Sequence, residues 1–445
     1  MAAVLNLEQS RPNRRAGAVS RLRTPAQLLL LAGTQATTQL ASFLALLLVA
    51  HSLSLANYGI YSVAITTSFF VAALPGIGID LAVIRFTAHR EGPESNSLIV
   101  MGALVKIAAS AVVTLLALAL SGVLAANIMG QPEAANALRI GAISGFIAGS
   151  TAYVFAVLQS RHRFGLLATV SLFGAAAKIL PVAVLASLGM LTLNTAYSTF
   201  VIPALVVLVG GGMLAGLHRM SIKDIDVTGG GRLVKTSAWL TLGILANSVM
   251  VFIDVYMIAA MKGASEAGLY SGARVIAMGL YVFGAAALAV LLPKAIRLEG
   301  ASQLASFTRR ALCGMAVLAA PLLVVPLAAQ PLVEVLLPGE FNSAALTLRL
   351  LSMAFIVELF VTPLVVLLIA LDASRAYALS SLAVLPVALV ALVFGVAQAG
   401  AAGAASVFLA HRLAFCTLLA IAAIQSLRAR SVVEHRLELE LVAAR

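Results

Sequence analysis

Six stretches of this chain, each longer than 20 residues and so long enough to cross a bilayer, contain no Asp, Glu, Lys or Arg. They lie between Arg23 and Asp80, Lys106 and Glu133, Arg139 and Arg161, Lys178 and Arg219, Arg310 and Glu334, and Arg375 and Arg412. Soluble domains are not built this way, because about a quarter of their residues are charged. Here 10% of 445 residues are charged and 62% are apolar. At roughly 20–25 residues per crossing, that apolar content suffices for about eleven to thirteen helices and leaves no room for a large extramembrane domain. The expected fold class is all-α, a polytopic membrane protein of about 12 transmembrane helices. The net charge of +12 would suggest nucleic acid in a soluble chain; in this one it first needs a membrane explanation.

Polar punctuation divides the apolar runs into candidate spans at 27–50, 58–84, 98–125, 138–159, 165–188, 193–217, 237–261, 266–292, 311–332, 343–371, 376–397 and 402–426. Residues 1–26 are too long for a signal-peptide n-region, and the run after them is long enough to span, so the first helix is expected to be retained. Basic residues sort to one side. Arg11, Arg14, Arg15, Arg21 and Arg23 precede the first span, and Arg85, Arg90, Arg161, Arg163, Arg219, Lys223, Arg232, Lys235, Lys294, Arg297, Arg309, Arg310 and Arg375 follow in loops of the same side. The opposite loops hold only Arg139 and Lys262. Positive charge stays cytoplasmic, so both termini are expected inside, and no nucleic-acid partner is implied. Cys313 and Cys416 sit in apolar runs and read as small core residues rather than a disulfide framework.

A repeat runs through the chain. Gly59-Ile60-Tyr61-Ser62 near the start of the second span matches Gly268-Leu269-Tyr270-Ser271 near the start of the eighth, 209 residues later, and the same offset carries Arg85 onto Lys294. Six spans per repeat is an even number, so the two lobes share one orientation and are related by an axis along the membrane normal. The expected organisation is a basic cytoplasmic tail 1–26, an N-lobe 27–217, a linker 218–236 containing Gly229-Gly230-Gly231, a C-lobe 237–426 and a cytoplasmic tail 427–445.

The stretch Leu55-Ala56-Asn57-Tyr58-Gly59-Ile60-Tyr61-Ser62, then Gly76-Ile77-Gly78-Ile79-Asp80 and Val83-Ile84-Arg85-Phe86, resembles the polysaccharide-export family of O-antigen and exopolysaccharide lipid flippases. Phe252-Ile253-Asp254, Gly268 to Arg274 and Leu337-Pro338-Gly339-Glu340-Phe341 extend the resemblance over most of residues 27–426. It implies membership of the multidrug/oligosaccharidyl-lipid/polysaccharide transporter superfamily and the flipping of polyprenyl-diphosphate-linked oligosaccharide across the bacterial inner membrane. Two six-helix bundles would alternate access, with the first, second, seventh and eighth helices bordering the central cavity. Membrane lipids, and a glycan polymerase or export machinery, are the partners this implies.

Ionisable residues inside spans are costly, about 2.5–3.5 kcal/mol for a basic or Asp side chain at the bilayer centre even on the lenient scale. Lys178 and Arg412 fall near the midplane and are expected to face a cavity or a counter-ion. With Arg274 they form the candidate cationic site, suited to a diphosphate. Asp254 and Arg274 lie at matching depths from the same side, which predicts a pair, either a lobe-stabilising contact or a gate. Tyr270 and Tyr281 share a helical face with Arg274 and suit sugar stacking or interfacial anchoring. Glu358 is expected to pair with Arg412 or Lys178, or to hold a coupling proton. Gln35, Thr38, Gln39 and Ser42 form a polar stripe on the first span that must avoid lipid, as interhelical hydrogen bonding or as cavity wall. Lys106 and Arg349 are near span ends and read as snorkelling. Asp80 and Arg85 read as an orientation anchor and, with Lys294, a headgroup contact.

No catalytic residue, metal or cofactor is expected. The six histidines lack ligand spacing, Asp224-Ile225-Asp226 lies in a short linker, and no phosphate-binding loop is present. Two competing functions stay open. A multidrug cation antiporter of the same superfamily would want an acidic cavity, whereas bases inside the spans outnumber acids. A membrane-embedded glycan polymerase or ligase would want a sizeable external loop, whereas those near 126–137 and 333–342 are short.

Overall fold

A computed structural model describes residues 17–75, 79–80, 83–84, 87, 93–128, 130–132, 134–217, 227–298 and 300–443. Within hydrocarbon every backbone N–H and C=O must be satisfied inside its own segment, and the apolar runs accordingly fold as helices. The N-lobe contains α1 (Gly17–Ser52), α2 (Leu55–Ala73), α3 (Pro93–Val123), α4 (Ala134–Ser160), α5 (Phe164–Ser187) and α6 (Leu193–Leu214). The C-lobe contains α7 (Val227–Lys262), α8 (Ala264–Met278), α9 (Tyr281–Ala295), α10 (Ala301–Leu322) and α11 (Ala345–Ala370). Two further helices, α12 and α13, share Ser374–Ala443 and divide at Ala399–Gly400, where Gly400 has φ 54°. Gly395 and Gly403 touch across that break; in a straight helix they would lie about 12 Å apart, so α12 and α13 run antiparallel.

Ten apolar stretches among the described residues are long enough to cross a membrane. The last of them is the α12–α13 hairpin, and α8 with α9 form one further span bent by 42°. Counted so, the described residues account for all twelve expected spans, and the protein is a multi-pass membrane protein. Boundaries differ from expectation at several points. The ninth span begins at Ala301 rather than 311, and two short helical segments, Val324–Leu327 and Ala329–Leu336, follow it. The helix of the first span already runs from Gly17, the seventh begins at Val227 within the expected linker, and α13 continues to Ala443 through the expected tail. Arg85 and Asp224 to Asp226 lie outside the described residues.

Packing within the N-lobe depends on small residues, because lipid offers helices no hydrophobic drive to associate. Gly141, Gly145 and Gly149 of α4 lie against Ala64, Ser68 and Ala72 of α2. A side chain at Gly145 would meet Ser68 O at 2.7 Å. Large apolar side chains such as Leu115, Val317 and Val335 are exposed, where acyl chains would cover them. Cys313 is exposed too, contrary to the core position expected, because its side of α10 faces outward.

The lobes meet where α2 crosses α8. A side chain on Gly59 would run into Ala264 O, and one on Gly268 into Leu55 O, while Gly59 and Gly268 lie against each other. Adding 209 to Leu55 and Gly59 gives Ala264 and Gly268. The contact is thus exchanged by the repeat, residue for residue, as across a two-fold axis. The matching sequence segments are therefore the two halves of one joint.

Candidate functional site

Four sites within the helices carry charge. Lys178 on α5 has Ser42 Oγ of α1 at 3.1 Å and the Phe200 ring of α6 at 5.8 Å from its ammonium. No ion pair is recorded for it among the described residues. Arg412 on α13 is buried and lies 2.9 Å from a Glu358 carboxylate oxygen. Its Nη1 also donates to Asn247 Oδ1 at 2.9 Å, and its guanidinium lies over Phe408. The Glu358 contact is an ion pair by distance rather than an aligned hydrogen bond. Arg274 on α8 reaches Asp254 at 3.0 Å and donates to Val251 O. Tyr270 donates to the other Asp254 oxygen. Lys106 on α3 donates to both Asp80 oxygens, at 3.0 and 2.8 Å.

Helical spacing explains these arrangements. Asn247, Val251 and Asp254 stand at i, i+4 and i+7 on α7, so one face of that helix receives both arginines. Tyr270 and Arg274 stand four apart on α8 and converge on one carboxylate. Lys178, Phe252, Arg274 and Arg412 are each nine to twelve residues from the ends Ser187, Lys262, Ala264 and Gly400. At 1.5 Å per residue all four lie about 14–18 Å deep from one side, a single mid-bilayer layer.

The Asp254–Arg274 pair is present as its depths suggested, and Arg412 rather than Lys178 is the partner of Glu358. Lys106 does not snorkel. It is 1% exposed on Asp80, because α3 turns its polar side inward and its leucines outward; Asp80 is accordingly a half-buried counter-ion rather than an orientation anchor. Arg349 is exposed and donates to Pro326 O at 3.2 Å. The expected stripe of Tyr270, Arg274 and Tyr281 is broken. Tyr270 is fully buried, while Tyr281 lies past the α8–α9 bend and is exposed. On α1, Gln35 is exposed, Gln39 is half-buried, and Thr38 donates to Thr34 O within its own helix. Ser42 alone of that stripe touches a charge. Lys294 is exposed at the end of α9.

Sequence reasoning missed Asn247 and the residues that bridge the lobes. Asn247 was findable as the polar residue seven before Asp254. The bridging contacts carry no such signal. Glu340 accepts Leu55 N–H at 3.0 Å, Phe341 packs edge-on against Tyr58, and Tyr256 donates to Thr67 at 2.8 Å. Phe69 of α2 stacks on Phe252 of α7, with centroids 5.8 Å apart and planes 5° apart. Gln131 lies near Ala259 O at 3.5 Å. These joints run from residues 55–69 and 131 to residues 252–268 and 340–341, and α1 also touches α8 and α9.

Residues 26–299 match the family described as polysaccharide biosynthesis protein. The chain belongs to that family. No curated protein matches the chain in sequence. Solved structures match its fold. An inward-facing multidrug resistance MATE family transporter of the MOP superfamily has a TM-score of 0.68 at 12% identity, covering 89% of this chain and 96% of its own. Lipid II flippase MurJ in an inward closed conformation has 0.67 at 12%, covering 89% and 88%. A MOP superfamily transporter from Pyrococcus furiosus, described as having a binding pocket of reverse polarity, has 0.66 at 13%, covering 92% and 96%. This family member therefore has the two-lobed fold of MOP superfamily transporters.

Proposed function

We propose that this protein carries polyprenyl-diphosphate-linked oligosaccharide across the bacterial inner membrane by alternating access, with residues 27–217 and 237–426 as the two moving bodies. The observation that carries this reading is Lys178: a cation at mid-bilayer depth whose described contacts are a hydroxyl and a ring face. An ammonium there is costly unless an anion joins it, and a lipid diphosphate is an anion that must pass this depth. Arg274 and Arg412 hold acids in this state and are the C-lobe cations the headgroup would meet as those pairs exchange. Gln35, Gln39 and the exposed Tyr281 would line the path of the sugars. The polyprenyl tail would remain in the bilayer.

The positive-inside bias puts both termini in the cytoplasm. The joint at Gly59–Gly268 and Glu340–Leu55 then lies on the periplasmic side, so this state is sealed outward. Lys294, with Arg85, would contact headgroups at the cytoplasmic face. The likeness to a MATE transporter keeps a cation antiporter in view, but an organic cation would be repelled by Lys178. The solved structures it resembles are described as a transporter and a flippase.

A strain lacking this chain should accumulate lipid-linked oligosaccharide on the cytoplasmic leaflet. Wild type and Lys178→Arg should restore export, and Lys178→Gln at equal membrane abundance should not. Full export with Lys178→Gln, or normal surface glycan together with a changed drug susceptibility in the deletion strain, would defeat the reading.

A further inference from the structure

The Phe69–Phe252 stack is the deepest of the ring contacts joining the lobes, and it borders the charge network. The two rings belong to different lobes, so the stack exists only while α2 and α7 are together. Phe69 is nevertheless 45% exposed, which leaves part of the ring open beside the seam. The Arg274 guanidinium lies 5.8 Å from the Phe252 ring centre. Phe252 thus has an aromatic ring and a cation as neighbours, and the cation is tied to Asp254 only two residues further along α7. Nearby, Tyr256 donates to Thr67 across the same seam, so the stack sits at the inner margin of the joint that begins at Gly59.

A parallel aromatic pair excludes water and headgroups from the gap it fills. Parting the lobes exposes the two ring faces at the depth of Lys178 and Arg274. A bare phenyl face suits the apolar C–H face of a pyranose, and an adjacent guanidinium suits a phosphate. We propose that Phe69 and Phe252 are a mid-bilayer seal while stacked and, once separated, the platform on which the first sugars of the substrate rest beside Arg274. The seal follows from the geometry alone; the platform rests on the reading of the protein as a carrier of lipid-linked oligosaccharide.

Two experiments on the full chain separate these parts. In the first, Cys313→Ser and Cys416→Ser remove the native thiols, and Phe69→Cys with Phe252→Cys replaces the stack. A protease site between residues 219 and 226 reports whether the halves are joined. Disulfide formation in membranes should join them and abolish export, and reduction should restore it. Failure to join, or full export while joined, would overturn the seal. In the second, Trp239 (the single native tryptophan) is changed to Phe and Phe69→Trp serves as reporter. Lipid-linked oligosaccharide should shift its emission, and polyprenyl diphosphate without sugar should not. An equal shift with both would overturn the platform and leave the carrier reading standing. No shift with either, in protein that still flips the substrate, also overturns the platform. Protein that neither shifts nor flips sinks the carrier reading with it, while the cross-link still decides the seal.

Discussion

Gly59→Ala adds one methyl group at the crossing of α2 and α8, where its position is already taken by the backbone carbonyl oxygen of Ala264. A flexible side chain would move aside, but a helix carbonyl cannot without moving its helix. Forcing extra carbon into a packed contact costs about 1–3 kcal/mol. That cost falls on the state in which the helices touch and vanishes when they part. With a tenfold change per 1.4 kcal/mol, the equilibrium should move toward the parted state by roughly 5- to 150-fold. Thr67→Cys, in a chain with Cys313→Ser and Cys416→Ser, provides the assay. Thr67 is 4% exposed and bonded to Tyr256 across the seam, so a membrane-impermeant maleimide applied from the periplasmic side should label it slowly in the parent and faster with Gly59→Ala. Gly268→Ala should behave alike, because it meets Leu55 O in the repeat-related contact. The double mutant should add little to either single one, since a joint already opened has nothing left to clash. Gly165→Ala, where nothing lies within 4 Å, should leave labelling unchanged. Unaltered labelling in Gly59→Ala at normal abundance, or full additivity of the pair, would refute the shared-joint argument.

Glu340→Gln keeps its shape but loses the charge that accepts Leu55 N–H and faces the positive end of α2. It should raise periplasmic labelling at position 67 by a few-fold, and an unchanged rate would remove Glu340 from the joint. Arg274→Gln leaves Asp254 buried without its cation, a loss of about 3–5 kcal/mol, and should lower the melting temperature in detergent. Combining it with Asp254→Asn should recover most of that loss, and a double mutant as unstable as the single would contradict a direct pair. Lys106→Met should destabilise the N-lobe in the same way through Asp80; stability equal to wild type would show that Asp80 finds another partner.

Much of this was legible in one dimension. Hydropathy marks a span wherever lipid or protein surrounds it, and the twelve spans, the lobe repeat and the depth match of Asp254 with Arg274 follow from counting along the chain. Rotation of each helix about its axis was not legible, because the faces turned to lipid and to neighbouring helices are equally apolar. That rotation decided that Lys106 is buried on Asp80, that Arg412 rather than Lys178 takes Glu358, and that Lys178 is left with a hydroxyl and a ring. The 42° bend between α8 and α9 separated Tyr281 from the face of Arg274, which periodicity along an unbroken helix could not foresee. The repeat showed that Gly59 and Gly268 correspond; only the tertiary structure showed that they touch, since a sequence offset records equivalence and contact requires the lobes to be placed together.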